Sequence, residues 1–370
     1  MKYYIIAGEA SGDLHGSNLM KALYKEDSQA DIRFWGGDLM QNIGGTLVKH
    51  YRELAFMGFI EVIFHLKTIL NNIKICKKDI LDFQPDVIVF IDYPGFNLRI
   101  AKWAKELGFK THYYISPQIW AWKENRINEI KRDVDKMFVI LPFEKDFYED
   151  KHHFPVEFVG HPLIDALHNY PTIDEDFFRK ENHLNEKPII AILPGSRKQE
   201  ITKMLSVMLS VVKDFPDYQF VIAGAPSLEH SFYEQFISNE NIKFISNKTY
   251  DLLQISTAAL VTSGTATLET ALFKVPEVVC YKGSWASYQI AKRIITLKYI
   301  SLVNLIMDEE VVTELIQEDC NTKHIKKELK KILEPNSRGN LLKKYDILEQ
   351  NLGGIGASEK TAKLIVADLN

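Results

Sequence analysis

Strand-length apolar runs alternate with helix-period segments from the start of this chain, and that alternation admits few folds. Residues 3–7, 32–35, 87–91, 111–115 and 137–141 are short, apolar and rich in β-branched or aromatic side chains. Between them, segments 14–24, 61–83 and 98–107 place apolar residues three and four apart, the period of an amphipathic helix. Buried strands separated by helices are how a parallel sheet covered by helices reads. The alternation pauses from Val159 to Pro171, where Gly160, Pro162 and Pro171 punctuate the chain. It resumes with strand-like runs at 188–193, 219–222, 258–261 and 277–281. At 370 residues the chain is too long for one core, and roughly 150 residues per domain gives two. The expected fold is therefore α/β: two Rossmann-like, doubly wound parallel-sheet domains, 1–165 and 166–340. Strands are expected to stop near Met307. A helical C-terminal segment, 341–370, would then pack on the first domain or on a partner chain. Its last helix is expected to be capped by Ser358, after a hinge at Gly353-Gly354-Ile355-Gly356.

Charge and cysteine usage exclude several function classes. Lys and Arg number 45 against 49 Asp and Glu, with no long run of one sign, so a nucleic-acid partner is not expected. Three widely spaced cysteines argue against a disulfide framework or a thiolate metal site and fit a reducing cytosol. The apolar stretch at the N-terminus is too short for an export signal, and no run of about 18 uncharged apolar residues occurs.

In open α/β sheets ligands gather at the carboxyl ends of the strands, and the polar motifs fall there. Leu193-Pro194-Gly195-Ser196-Arg197 joins a strand to a helix expected near Glu200; its N–H groups and guanidinium suit phosphate, and a tight turn with an exposed arginine fits equally. Ser263-Gly264-Thr265 opens another helix, and two anion cradles in one domain point to a pyrophosphate. Glu269, one turn inside that helix, can accept both hydroxyls of a ribose or simply favour the helix start. Gly8-Glu9-Ala10-Ser11-Gly12-Asp13 lacks the dinucleotide glycine spacing, and its carboxylates suit sugar hydroxyls better than phosphate. Asp92 ends a buried strand, where desolvation makes a general base, though it can equally cap the following helix. Trp120 and Trp122 either stack on a sugar or fill core. Residues 54–66, with Phe56, Met57 and Phe59, are unusually apolar and are followed by lysines at 67, 74, 77 and 78, which suits an anionic lipid surface or acyl chains as well as a core face. Asp174-Glu175-Asp176 is read as solvated charge in a linker, and no metal or other cofactor is expected.

Taken together, Ala7-Gly8-Glu9-Ala10-Ser11-Gly12-Asp13, Ile91-Asp92-Tyr93-Pro94-Gly95-Phe96-Asn97, Ser116-Pro117-Gln118-Ile119-Trp120-Ala121-Trp122, Leu141-Pro142-Phe143-Glu144-Lys145, Gly160-His161-Pro162 and the two phosphate-type turns resemble the lipid-A-disaccharide synthase family, in order, from Tyr4 to about Cys320. Val303 departs from the family's usual proline, while Asn304 remains. The resemblance implies a metal-independent, inverting glycosyltransferase of the two-Rossmann-domain GT-B type. Its donor would be UDP-2,3-diacylglucosamine and its acceptor 2,3-diacylglucosamine 1-phosphate. It implies UDP contacts from Gly195, Ser196, Arg197, Ser263, Gly264, Thr265, Glu269 and Asn304. Asp92 is the implied base, with Glu9 as the alternative. Ser11, Asp13, Phe56, Met57, Phe59, Trp120, Trp122 and His161 fall on the acceptor and lipid side. It further implies work at the cytosolic face of the inner membrane, and the glycine hinge makes homo-oligomerisation through the C-terminal segment an expectation. The rival reading is a UDP-N-acetylglucosamine 2-epimerase-like isomerase on the same plan.

Overall fold

A computed structural model describes residues 1–54, 66–225, 228–237, 240–283 and 298–370. Its described strands form two parallel sheets. The first contains β1 (Lys2–Ala7), β2 (Asp31–Gly36), β3 (Thr46–His50), β4 (Val87–Ile91), β5 (Thr111–Tyr114), β6 (Lys136–Val139) and β7 (Glu157–Phe158), ordered β3-β2-β1-β4-β5-β6-β7. The second contains β8 (Ile189–Leu193), β9 (Gln219–Gly224), β10 (Ile242–Ser246), β11 (Ser256–Thr262), β12 (Glu277–Tyr281) and β13 (Thr313–Ile316), ordered β10-β9-β8-β11-β12-β13. Both are doubly wound, and in each the order reverses once, between β1 and β4 and between β8 and β11. The central strands are apolar along their length because helices cover both faces: every residue of β4 and of β8 is buried. β13 corrects the expectation that strands stop near Met307. Its Thr-Glu-Leu-Ile sequence buries only Leu315, and it pairs along one side with β12.

The chain divides into two compact units, Met1–Asn169 with Leu352–Asn370, and Tyr170–Asn351. Within the first, the helix Leu66–Phe83 turns Asn72, Cys76, Ile80 and Phe83 inward at helical spacing and leaves Leu70, Ile75 and Leu81 exposed. The C-terminal helix Ala357–Leu369 packs on the helix Ala10–Glu26 of the same chain. Gly356, at φ +109, is its cap, not Ser358. The helix's open N–H groups find Asp165 instead: its carboxylate accepts from Gly356 at 2.6 Å and from Ser358 at 2.9 Å. At the other end Asp368 pairs with Lys110, His112 and Lys136 at 2.9–3.0 Å. Asp174, read as linker charge, in fact N-caps a helix, Glu175–Glu181, accepting from Phe177 N–H at 3.0 Å.

Candidate active site

The first unit's polar cluster lies where the sheet order reverses. β1 and β4 are neighbours whose following connections depart to opposite sides, which opens a crevice beyond their carboxyl ends. Ala7 pairs with Ile91, so Glu9 and Asp92 emerge side by side, two residues and one residue further on. Asp92 and Tyr93 both take left-handed backbone, at φ 43° and 49°. The Asp92 carbonyl is turned inward, accepting from Asn97 Nδ2 at 2.7 Å and from the Tyr113 hydroxyl at 2.6 Å. Those two bonds hold a turn that is strained for tyrosine. Gly8 is required here: a Cβ would fall 2.3 Å from the Tyr93 ring. Burial pushes the Asp92 carboxyl up to about 6. The Glu9 and Glu144 charges add to the rise, and the Tyr93 N–H opposes it. Asn97 and Tyr113 are positioning residues the sequence reading did not single out, although Asn97 lies within the same motif.

Glu144 is also new. Its buried carboxylate accepts from Ser116 Oγ, from Trp120 Nε1 at 3.1 Å, and from the N–H groups of Ile140 and Leu141 at 3.1 and 2.9 Å. It thereby fixes the 116–122 loop over the end of β5. Trp120 is half-buried, edge-on to Phe143, whereas Trp122 is 48% exposed with Lys123 Nζ 4.3 Å above its ring. Two acceptor-side expectations are corrected. Asp13 is not open to a sugar, because its oxygens accept from the N–H groups of Gly37, Leu39 and Met40 at 2.7–3.1 Å and hold the chain after β2. His161 caps the helix Pro162–His168, its Nδ1 accepting from Leu163 N–H at 3.2 Å; burial holds it down to about 3, so the ring is neutral. Ser11 is exposed. Phe56, Met57 and Phe59 lie outside the described residues.

In the second unit the reversal between β8 and β11 carries a pocket of about 240 Å³. Gly195, Ser196, Ser263, Gly264, Thr265 and Glu269 all line it, so residues up to 74 apart in sequence share one site. Gly195 needs its freedom, at φ +105. Gly224 at the end of β9 and Thr249 complete the wall, and neither was singled out from sequence. Ser263 Oγ donates to the Ile300 carbonyl at 3.0 Å. Burial pushes the Glu269 carboxyl up, partly offset by the Tyr250 hydroxyl, which donates to it at 2.7 Å. The helix after β8 begins at Lys198, earlier than expected, with exposed Arg197 at its cap and outside the pocket wall. Glu200 is in the wall, and a Cβ on Gly195 would meet its carboxylate at 2.5 Å. Asn304 is corrected as a UDP contact. Its amide nitrogen donates to Val312 C=O and Glu314, and its oxygen accepts from Val311 and Val312 N–H, at 2.8–2.9 Å, so the side chain is fully occupied. Among the described residues no cluster of His, Cys, Asp and Glu has the arrangement of a metal site.

A sequence model of the lipid-A-disaccharide synthetase family matches residues 3–365. The chain is 38% identical over 367 residues to a lipid-A-disaccharide synthase of Coxiella burnetii, covering 98% of this chain and 96% of that one. It is 37% identical over 375 residues to a lipid-A-disaccharide synthase of Idiomarina loihiensis, covering 98% and 97%. Among solved structures, the UDP-GlcNAc 2-epimerase of Neisseria meningitidis bound to UDP-GlcNAc is similar with TM-score 0.68 at 14% identity, covering 100% of this chain and 99% of that one. The glycotransferase of kitacinnamycin is similar with TM-score 0.68 at 12% identity over the same shares. At such identities these two likenesses are of fold alone, and the epimerase resemblance goes no further. On its near-full-length match to the family model and to both synthases, this chain belongs to the lipid-A-disaccharide synthetase family.

Proposed function

We propose that the chain is an inverting glycosyltransferase that joins UDP-2,3-diacylglucosamine to 2,3-diacylglucosamine 1-phosphate through a β(1→6) bond and releases UDP. The observation that carries this reading is the near-full-length similarity to lipid-A-disaccharide synthases. The residues supply a mechanism. Asp92, with its carboxyl lifted to about 6, is ionised at neutral pH yet basic enough to take the proton from the acceptor's 6-hydroxyl. The hydroxyl oxygen attacks the anomeric carbon, and the bond to UDP breaks on the opposite face. Glu9 is the alternative base or a partner for sugar hydroxyls. Gly195, Ser196 and the 263–265 turn hold the diphosphate, Glu269 the ribose. Arg197 meets the negative charge that grows on the leaving pyrophosphate, and so favours the transition state over the ground state. A diphosphate at Gly195 requires the Glu200 carboxylate to turn away. No step in this scheme draws on a metal.

Among the described residues no helix is long and apolar enough to cross a membrane. Acylated substrates nevertheless call for contact with a lipid surface. The exposed face of Leu66–Phe83, with Leu70, Ile75 and Leu81 among Lys67, Lys74 and Lys78, is suited to a peripheral one on the cytosolic side of the inner membrane. Self-association through the C-terminal segment is tested by light scattering at micromolar concentration, where a monomer refutes it. The functional test mixes protein with both acylated substrates. UDP released only when donor and acceptor are present together supports the transferase; release or epimerisation without acceptor refutes it.

A further inference from the structure

A groove of about 460 Å³ in the first unit runs between the helices Pro94–Glu106 and Ile127–Asp133. Arg99, Lys102, Arg126 and Arg132 line it, against Glu129 and Asp133. Arg132 is neutralised by a two-pronged pair to Asp133, both contacts at 2.6 Å. Arg99, Lys102 and Arg126 have no carboxylate partner among the described residues. Three cations facing one remaining carboxylate in a concave surface make a positive potential that calls for an anion. The groove's upper end is the first turn of the 13-residue helix Pro94–Glu106. Phe96 and Asn97 direct their N–H groups to the Tyr93 carbonyl, which leaves the Gly95 N–H as a donor there, and a Cβ built on Gly95 meets nothing within 4 Å. Arg126 also lies near enough to Tyr113 to act electrostatically on its hydroxyl, the group that holds the Asp92 carbonyl.

We infer that this groove is the subsite for the acceptor's phosphomonoester, with Arg126, Arg99 and the Gly95 N–H as its contacts and Lys102 deeper along the groove. The inference rests on the proposed transfer to a glucosamine 1-phosphate. In that sugar the carbon bearing the anomeric phosphate and the carbon bearing the 6-hydroxyl arm both flank the ring oxygen, so a hydroxyl held at Asp92 demands cations within about one ring's width. The groove begins at Pro94, two residues beyond Asp92. Guanidinium forks match phosphate oxygens better than a point charge does.

The test compares the phosphorylated acceptor with its counterpart bearing a free 1-hydroxyl, both in neutral detergent micelles. Arg99→Gln should raise KM for the phosphorylated acceptor about 10-fold, the loss of one charge-assisted hydrogen bond, and leave kcat and the 1-hydroxyl acceptor unaffected, and Arg126→Gln should raise KM for the phosphorylated acceptor about 10-fold more than for the 1-hydroxyl one. Arg99 is exposed, so its replacement leaves the fold intact. An equal loss on both acceptors overturns the assignment. So does a loss seen only on phosphatidylglycerol vesicles, which gives these cations to bulk lipid headgroups. Calorimetry with glucosamine 1-phosphate reads the groove without turnover: binding to wild type that both variants lose supports it, and absent or unchanged binding overturns it. Wild-type protein that turns over neither acceptor defeats the transferase reading, and the calorimetric result then still decides the groove.

Discussion

Asp92→Asn should lower activity and raise stability together, and the opposition is what makes the substitution informative. Asparagine accepts left-handed backbone as readily as aspartate, so the φ 43° turn and its carbonyl bonds from Asn97 and Tyr113 persist. Losing a general base costs about 10²–10⁴ in rate. UDP affinity should not change, because the proposed nucleotide loops belong to the other unit. The stability effect follows from the carboxyl's rise from 3.8 to about 6. At 1.36 kcal/mol per unit, ionising Asp92 in the fold costs up to about 3 kcal/mol. Below 3.8 the group is protonated both folded and unfolded, and no cost exists. As pH climbs through about 6 the folded chain must ionise a buried group, and above that the cost is complete. Asp92→Asn should therefore stabilise the protein by up to about 3 kcal/mol at pH 7.5 and hardly at all below pH 4, read by denaturant unfolding at both pH values. A loss of stability at pH 7.5, or equal gains at the two pH values, refutes the desolvation argument. Normal turnover with weakened UDP binding refutes the base assignment. In wild type, kcat/KM should rise about tenfold from pH 5 to pH 7, as the ionised fraction climbs from about 9% to about 91%.

Glu9→Gln removes a negative neighbour of Asp92, so the acid limb of the pH–rate profile should move to lower pH; a rate loss as deep as that of Asp92→Asn instead gives the base role to Glu9. Arg197→Ala should cut kcat roughly 10²–10³-fold, and a rate within about threefold of wild type removes Arg197 from the site. Glu200→Gln should tighten UDP binding about two- to fivefold at low salt, fading as ionic strength rises, because it removes a carboxylate beside the diphosphate loop; weaker binding contradicts that placement. Asp368 is held down at about 2, where hydrogen bonds from Lys136, Lys110 and His112 outweigh the opposing effect of burial. Its stabilisation is present above the unfolded value near 3.8 and is lost as pH falls toward 2. Asp368→Asn should cost about 1–2 kcal/mol at pH 7 once solvent screening is allowed for, and little at pH 2, by thermal unfolding.

Nine of the strands were legible in the sequence, and all nine are interior to their sheets. β3, β7, β10 and β13, which were not, are the four edges. An interior strand is covered on both faces and paired on both sides, so it must read as a continuous apolar run. β3 buries no residue fully and β7 is two residues long, and neither leaves such a trace. The site divides along a different line. Small residues at strand ends of the second unit gather around one pocket, as glycine and hydroxyl side chains there have few structural uses. Asp13, Asn304 and His161 stood in equally suggestive positions, but their polar atoms serve backbone groups, next door at Leu163 for His161, at Val311 and Val312 for Asn304, and as far off as Met40 for Asp13. The chain shows which donors and acceptors exist and not which are already engaged. Glu144 shows the converse: within Leu141-Pro142-Phe143-Glu144-Lys145 it looks like an ordinary helix start, and only the fold brings it to Ser116 and Trp120.

The two sheet reversals share a topology and differ in charge, and the proposed division of chemistry between the units follows that difference. At the reversal in the first sheet the connections bear carboxylates: burial raises the Asp92 pKa, and the Glu9 and Glu144 charges add to the rise. The same charges that tune a base would repel a diphosphate bound on them. At the reversal in the second sheet the connections offer glycine, serine and threonine, whose N–H and hydroxyl groups stabilise negative charge, while the Glu269 carboxyl in the same wall is pushed up by burial. In the proposed scheme the basic groove beyond Pro94 would let the first unit hold an anionic acceptor with its cations set apart from the Asp92 carboxyl.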